Sequence, residues 1–162
     1  MNIIRQVASS IVKFKYMKRI IIYFCIAFGI SLADTVYHIP IEGTIDLGLP
    51  PFIERSIAEA EENNAKTIIF EVNTFGGRVD AATQIKDAIL DSKVPTVAFI
   101  NKRAISAGAL ISLSCEKVFM AGGATIGATT AVDMQGNKAS EKVISYMREE
   151  MAATAEKRGR DT

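Results

Sequence analysis

The chain has 162 residues, 49% of them hydrophobic and 23% charged, which suits one domain with its own core and excludes a low-complexity or disordered chain. The formal net charge of +1 is unevenly placed: Arg5, Lys13, Lys15, Lys18 and Arg19 precede Ala33 and no acid does, so the remainder is mildly acidic. Neutralising phosphates takes clustered Lys and Arg, so no nucleic-acid partner is expected.

Lys18 and Arg19 lead into an apolar run over residues 20–32, short for a membrane span but of signal-peptide length. Ser31-Leu32-Ala33 is a small-x-small cleavage pattern. Residues 1–33 are therefore expected to be a signal peptide or an amino-terminal membrane anchor, with Met17 an alternative start. Residues 34–162 then form one exported domain. Cys25 lies in the apolar run, leaving Cys115 alone, so the domain can form no internal disulfide. No pair has metal-ligand spacing, and Cys115 is expected to be a small buried apolar residue.

The alternation over residues 35–41 predicts a strand, and Gly43, Gly48, Pro50 and Pro51 mark a turn. Phe52, Ile53, Ile57 and Ala60 repeat at helical spacing over residues 52–63. A buried strand is predicted at 67–72, a break at Gly76-Gly77, and a helix whose face carries Val79, Ala82, Ile85, Ala88 and Ile89. A third strand follows at 95–100, a helix of small residues at 104–113 and a short strand at 117–120. Gly122, Gly123 and Gly127 predict a loop, and residues 140–157 a closing helix with Val143, Ile144, Met147 and Met151 on one side. Strands alternating with helices predict an α/β fold with a mainly parallel sheet. The chain ends soon after Gly159, and a fold that continues beyond Thr162 is expected.

Two junctions carry candidate chemistry. Asn73-Thr74-Phe75-Gly76-Gly77-Arg78 reads either as a tight strand-to-helix turn or as a loop whose free amides hold a developing oxyanion. Ala104-Ile105-Ser106-Ala107-Gly108-Ala109 puts a serine where a helix begins, as an N-cap or as a nucleophile beside the helix dipole. A nucleophilic serine needs a base. His38 is the only histidine, in the first strand, and reads as an ordinary strand residue. A lysine held neutral can replace it, and Lys138 and Lys142 follow the glycine loop.

Residues 37–161 resemble the amino-terminal protease domain of NfeD-type membrane proteins, which are ClpP-class serine proteases of the ClpP/crotonase fold. The resemblance lies in Phe70-Glu71-Val72-Asn73-Thr74-Phe75-Gly76-Gly77, Ile105-Ser106-Ala107-Gly108-Ala109, Ala124-Thr125-Ile126-Gly127-Ala128 and Ala155-Glu156-Lys157-Arg158-Gly159-Arg160-Asp161. It implies repeated β-β-α units and a Ser-Lys dyad of Ser106 and Lys142, with Lys138 the fallback base. It further implies oxyanion donors at Gly77 and Ala107, with Gly76 shaping the loop. The implied substrate is a polypeptide with apolar residues near the cut, on the extracytoplasmic face of a membrane. A stomatin-like membrane protein is the implied partner or substrate, homo-oligomers are expected, and no cofactor or metal is. Two rival readings are a crotonase-type acyl-CoA enzyme and a non-catalytic scaffold binding a stomatin-like protein.

Overall fold

The computed structural model describes residues 17–18, 34–127 and 139–161. By contacts the chain divides into Met1–Ala33 and Asp34–Thr162. Only Met17 and Lys18 of the first unit are described, both helical, so the signal or anchor expectation lies outside the described residues. Among the described residues no helix is long and apolar enough to cross a membrane.

The second unit runs β1 (Val36–Ile45), α1 (Leu49–Glu62), β2 (Thr67–Gly77), α2 (Val79–Asp91), β3 (Thr96–Ile105), α3 (Ala107–Ser114), β4 (Lys117–Met120), β5 (Thr125–Gly127) and α4 (Glu141–Lys157). The first three units are βα, and β4, β5 and α4 make a β-β-α unit. All described pairings are parallel, in the order β1-β2-β3-β4. β5 also pairs with β3, beyond β4, at Arg103–Ile105. β1 to β4 are neighbours in chain order because each connection between them runs through a helix.

The core follows strand alternation. Ile39, Ile41 and Ile45 of β1, Ile68, Phe70 and Val72 of β2 and Ala98, Ile100 and Ala104 of β3 point to one face and are buried. Ile53, Ile57 and Ala60 of α1 and Ala82, Ile85 and Ile89 of α2 close over it at helical spacing. Burying a side chain such as Phe70, which is fully covered, stabilises by about 2–3 kcal/mol. α3 is covered on nearly every side and packs on α2, β2, β3 and α4. Small residues permit this: a Cβ on Gly108 would lie 2.5 Å from Thr74 Cγ2. Its buried Ser112 and Ser114 hydroxyls donate to Gly108 O and Ile111 O, both at 2.7 Å.

Several boundaries differ from the sequence reading, for one reason. β1, β2 and β3 extend four or five residues past their apolar runs, to Ile45, Gly77 and Ile105. Ladder pairing with neighbours carries them on after hydrophobicity fades. Gly76 and Gly77 are therefore strand residues, Ala104 belongs to β3 rather than to the helix, and the expected glycine loop contains β5.

Candidate active site

The carboxyl ends of β2 and β3 meet at Ser106. β3 ends at Ile105, α3 begins at Ala107, and Ser106 makes the turn alone, with φ 54° and ψ −114°. A non-glycine residue at positive φ is strained by its Cβ and persists only where surrounding packing fixes it. That fixing is visible on both flanks. Ser106 N donates to Gly127 O of β5 at 2.9 Å. On the other side Gly76, with φ 105°, leaves no room for a side chain: a Cβ there would lie 2.8 Å from Ile105 O and 2.9 Å from Ser106 Cβ. The same Cβ would lie 3.3 Å from Ala107 N, so the missing methyl opens space in front of that amide.

Ser106 occupies the N-cap position of α3 but its side chain makes no cap hydrogen bond. The simple capping role is thus not what the hydroxyl does. It is partly exposed at the positive end of a helix, where a developing anion is favoured. Ala107, in the first turn, has an N–H without an intrahelical acceptor.

The glycine junction is held by Thr74 and β1. Thr74 is buried; its Oγ1 donates to Gly43 O and accepts from Gly76 N at 2.9 Å. Gly77 is pressed on β1, where a Cβ would lie 2.1 Å from Ile45 O. Gly76, Gly77, Ser106 and Ala107 thus belong to one cluster built by the ends of three parallel strands. Ligands of parallel α/β sheets bind at such carboxyl ends.

Lys142 is on α4, not on the strand ends that build this cluster. It is exposed in the first turn of α4 and lines a groove of about 770 Å³ with Arg78, Val79, Asp80, Thr83, Gln84, Val143 and Tyr146. Ser106 does not line that groove, which begins at Arg78, immediately after Gly77. Arg78 and Asp80 pair there in a fork, Nε to Oδ1 at 3.0 Å and Nη2 to Oδ2 at 2.6 Å. The Arg78 hydrogen bond holds the Asp80 carboxyl below its ordinary range, and Asp80 holds Arg78 above its own. Lys138 and Ala128 lie outside the described residues. His38 is on the opposite face of the sheet, 2.7 Å from Glu71 Oε2.

Sequence reasoning missed what holds α4 in place. Arg158 donates from Nε to Ser114 O at 2.6 Å and from Nη2 to Ile89 O at 3.2 Å. Arg160 donates to Leu113 O at 2.5 Å and to Cys115 O at 2.7 Å. Two guanidinium groups therefore cap the carbonyl ends of α3 and α2, where cations are favoured. Farther along, Lys86 Nζ lies 2.7 Å from Glu150 Oε2 and 2.8 Å from Asp87 Oδ1. Burial alone would depress Lys86, but the two carboxylates outweigh it and hold the ammonium above its ordinary value. The sequence signal was the pair of arginines around Gly159 just past a helix end, where cations often satisfy carbonyls.

Among the described residues no group of three or more His, Cys, Asp or Glu could hold a metal.

The NfeD1b N-terminal domain family model matches residues 35–162. A membrane protein NfeD1b of Bacillus subtilis is 43% identical over 128 residues, 79% of this chain and 29% of its own. A membrane-bound protease of Pyrococcus horikoshii, PH1510, is 32% identical over 149 residues, 87% of this chain and 34% of its own. The chain thus spans about a third of the length of these relatives. A solved mutant of the 1510-N membrane-bound stomatin-specific protease superposes with a TM-score of 0.73 at 32% identity, covering 80% of this chain and 67% of that one. ClpP1 of Listeria monocytogenes, at 24% identity and a TM-score of 0.62 over 76% of this chain and 73% of its own, shares the fold. The α/β architecture is ClpP-like, and the chain belongs to the NfeD1b N-terminal domain family.

Proposed function

We propose that this domain is a serine endopeptidase in which Ser106 attacks a peptide carbonyl and Lys142 accepts its proton. One observation carries the reading: a serine held at φ 54° between a strand and a helix, uncapped, against a glycine that admits no side chain. Strain of this kind clusters where a reactive group must be presented. Ala107 and Gly77 would donate to the oxyanion, with Gly76 leaving the space it occupies. The pairing with Lys142 requires its end of α4 to approach Ser106 in the assembled enzyme, which is proposed to be a homo-oligomer. The substrate would be a polypeptide with apolar residues at the cut, drawn from a stomatin-like membrane protein on the extracytoplasmic face. The likeness to the stomatin-specific protease supports that choice.

A fluorophosphonate probe should label wild-type protein at Ser106 and leave Ser106→Ala unlabelled. Ser106→Ala and Lys142→Ala should each lower cleavage of stomatin-homologue peptides by about 10³-fold or more. Cleavage that survives Ser106→Ala would remove the assignment. Because an amine accepts a proton only when neutral, cleavage should rise from acid to alkaline pH, and a flat profile would exclude a lysine base.

One observation favours a second reading. Lys142 is exposed, and the groove it lines does not include Ser106 among the described residues, as a non-catalytic scaffold would allow. Peptide binding equal in wild type and Ser106→Ala, with no cleavage by either and no probe labelling, would establish the scaffold.

A further inference from the structure

Phe75 and Arg103 sit on the face of the sheet away from the helices, at the ends of β2 and β3. Phe75 directly precedes Gly76 and is 73% exposed, which is unusual for a residue this apolar in a strand. The Arg103 guanidinium lies 4.4 Å from the centre of its ring. Stacking on an aromatic face occupies the flat side of a guanidinium and leaves its in-plane N–H donors directed outward. Arg103 is only partly exposed, and among the described residues no carboxylate or carbonyl accepts from its guanidinium. By contrast Arg78, Arg158 and Arg160 all have acceptors. A partly exposed guanidinium held against a ring, with no acceptor among the described residues, can offer a planar anion two parallel hydrogen bonds.

Its position ties it to the site. Arg103 is three strand residues before Ser106, about 10 Å along the rise of a strand. It pairs with Thr125 of β5, two residues before Gly127, whose carbonyl accepts from Ser106 N. An extended peptide with its scissile carbonyl at Ser106 covers that distance in about three residues. We propose that Arg103, pinned under Phe75, selects peptides carrying a carboxylate about three residues from the bond at Ser106. The inference rests on Ser106 marking the peptide site. The carboxylate is that of an acidic side chain or of the peptide's own carboxyl terminus. The apolar surface beside it is the Phe75 ring.

The test measures binding, which needs no cleavage. Ser106→Ala in the full chain is titrated with fluorescent stomatin-homologue peptides by anisotropy. One set has Glu or Gln three residues from the central bond and an amidated end. The other has no acid and ends as free carboxylate or as amide at the same distance. At least one carboxylate peptide should bind roughly tenfold or more tightly than its neutral twin. The margin should vanish in Ser106→Ala/Arg103→Gln and shrink in Ser106→Ala/Arg103→Lys, which keeps charge but loses the fork. A Glu preference alone assigns an internal acid, and a free-end preference alone assigns the terminus. Equal binding of both twins in both sets, or a margin unchanged by Arg103→Gln, overturns the proposal. Retained preference with no wild-type cleavage of the same peptides sinks only the protease reading.

Discussion

The two halves of the proposed dyad are built very differently. Ser106 is fixed from three sides: by Gly76 of β2, by Gly127 of β5, and by α3, which is buried along its length. Lys142 is exposed in the first turn of α4, whose opposite end is fastened by Arg158 and Arg160. The difference locates the two kinds of information. A nucleophile's geometry can be specified by close packing within one sheet. The environment of the base is left to whatever meets the first turn of α4. Buried structure specifies one arrangement sharply because interiors are close-packed.

The most severe break should come from the packed half. In Gly77→Ala the new methyl would meet Ile45 O at 2.1 Å, and backbone on both strands must move. We expect about 3 kcal/mol of lost stability in urea unfolding, at the upper end for overpacking, together with loss of probe labelling at Ser106. Unchanged stability would show that β1 and β2 part easily and that the serine is not rigidly held. The seat of α4 comes next. Arg160→Ala strips donors from the carbonyls of Leu113 and Cys115, for about 2 kcal/mol, and Arg160→Lys should recover only part. If Ser106 is fixed by its own turn and Lys142 by α4, Arg160→Ala should lower cleavage more than probe labelling.

Smaller still is the pair of Lys86 with Glu150. Glu150 Oε2 is buried without a hydrogen bond of good geometry, so the ammonium at 2.7 Å is its main support. Lys86→Ala should cost about 1–2 kcal/mol at neutral pH. The sign with pH follows from a lysine raised on folding. Its stabilisation is complete below the unfolded value and fades as pH rises through the folded one, in the alkaline range. Wild type and Lys86→Ala should therefore converge in strongly alkaline urea titrations.

Much of this fold was legible because periodicity reports burial. Ile53, Ile57 and Ala60 announced α1, and the apolar run from Thr67 announced β2. What was not legible depended on neighbours. The last residues of β2 include Asn73, Thr74 and two glycines, poor strand formers that pairing with β1 nevertheless holds extended. Ser106 and Gly76 were each visible as loop chemistry, but only the fold shows that one lacks room for a methyl because of the other. The place of Arg158 and Arg160 just past a helix end hinted at carbonyl capping, but nothing local named partners more than 40 residues away.

The contrast narrows to the two ends of α3, which begins at Ser106 and ends at Cys115, its C-cap. The hydroxyl is partly exposed at the positive end of the helix; the thiol is buried at the negative end. Burial pushes the Cys115 thiol up to about 12, although Arg158 and Arg160 pull the other way. Only the thiolate reacts readily, so native Cys115 should resist iodoacetamide at neutral pH and react once urea unfolds the chain. Peptide mapping by mass spectrometry separates it from Cys25. A thiol whose value is raised on folding stabilises below its unfolded value of 9.0 and loses that contribution as pH climbs towards about 12. Cys115→Ala should therefore flatten the alkaline fall in stability. Rapid native labelling would show that α3 opens at its carboxyl end and that the arginine caps do not hold it closed.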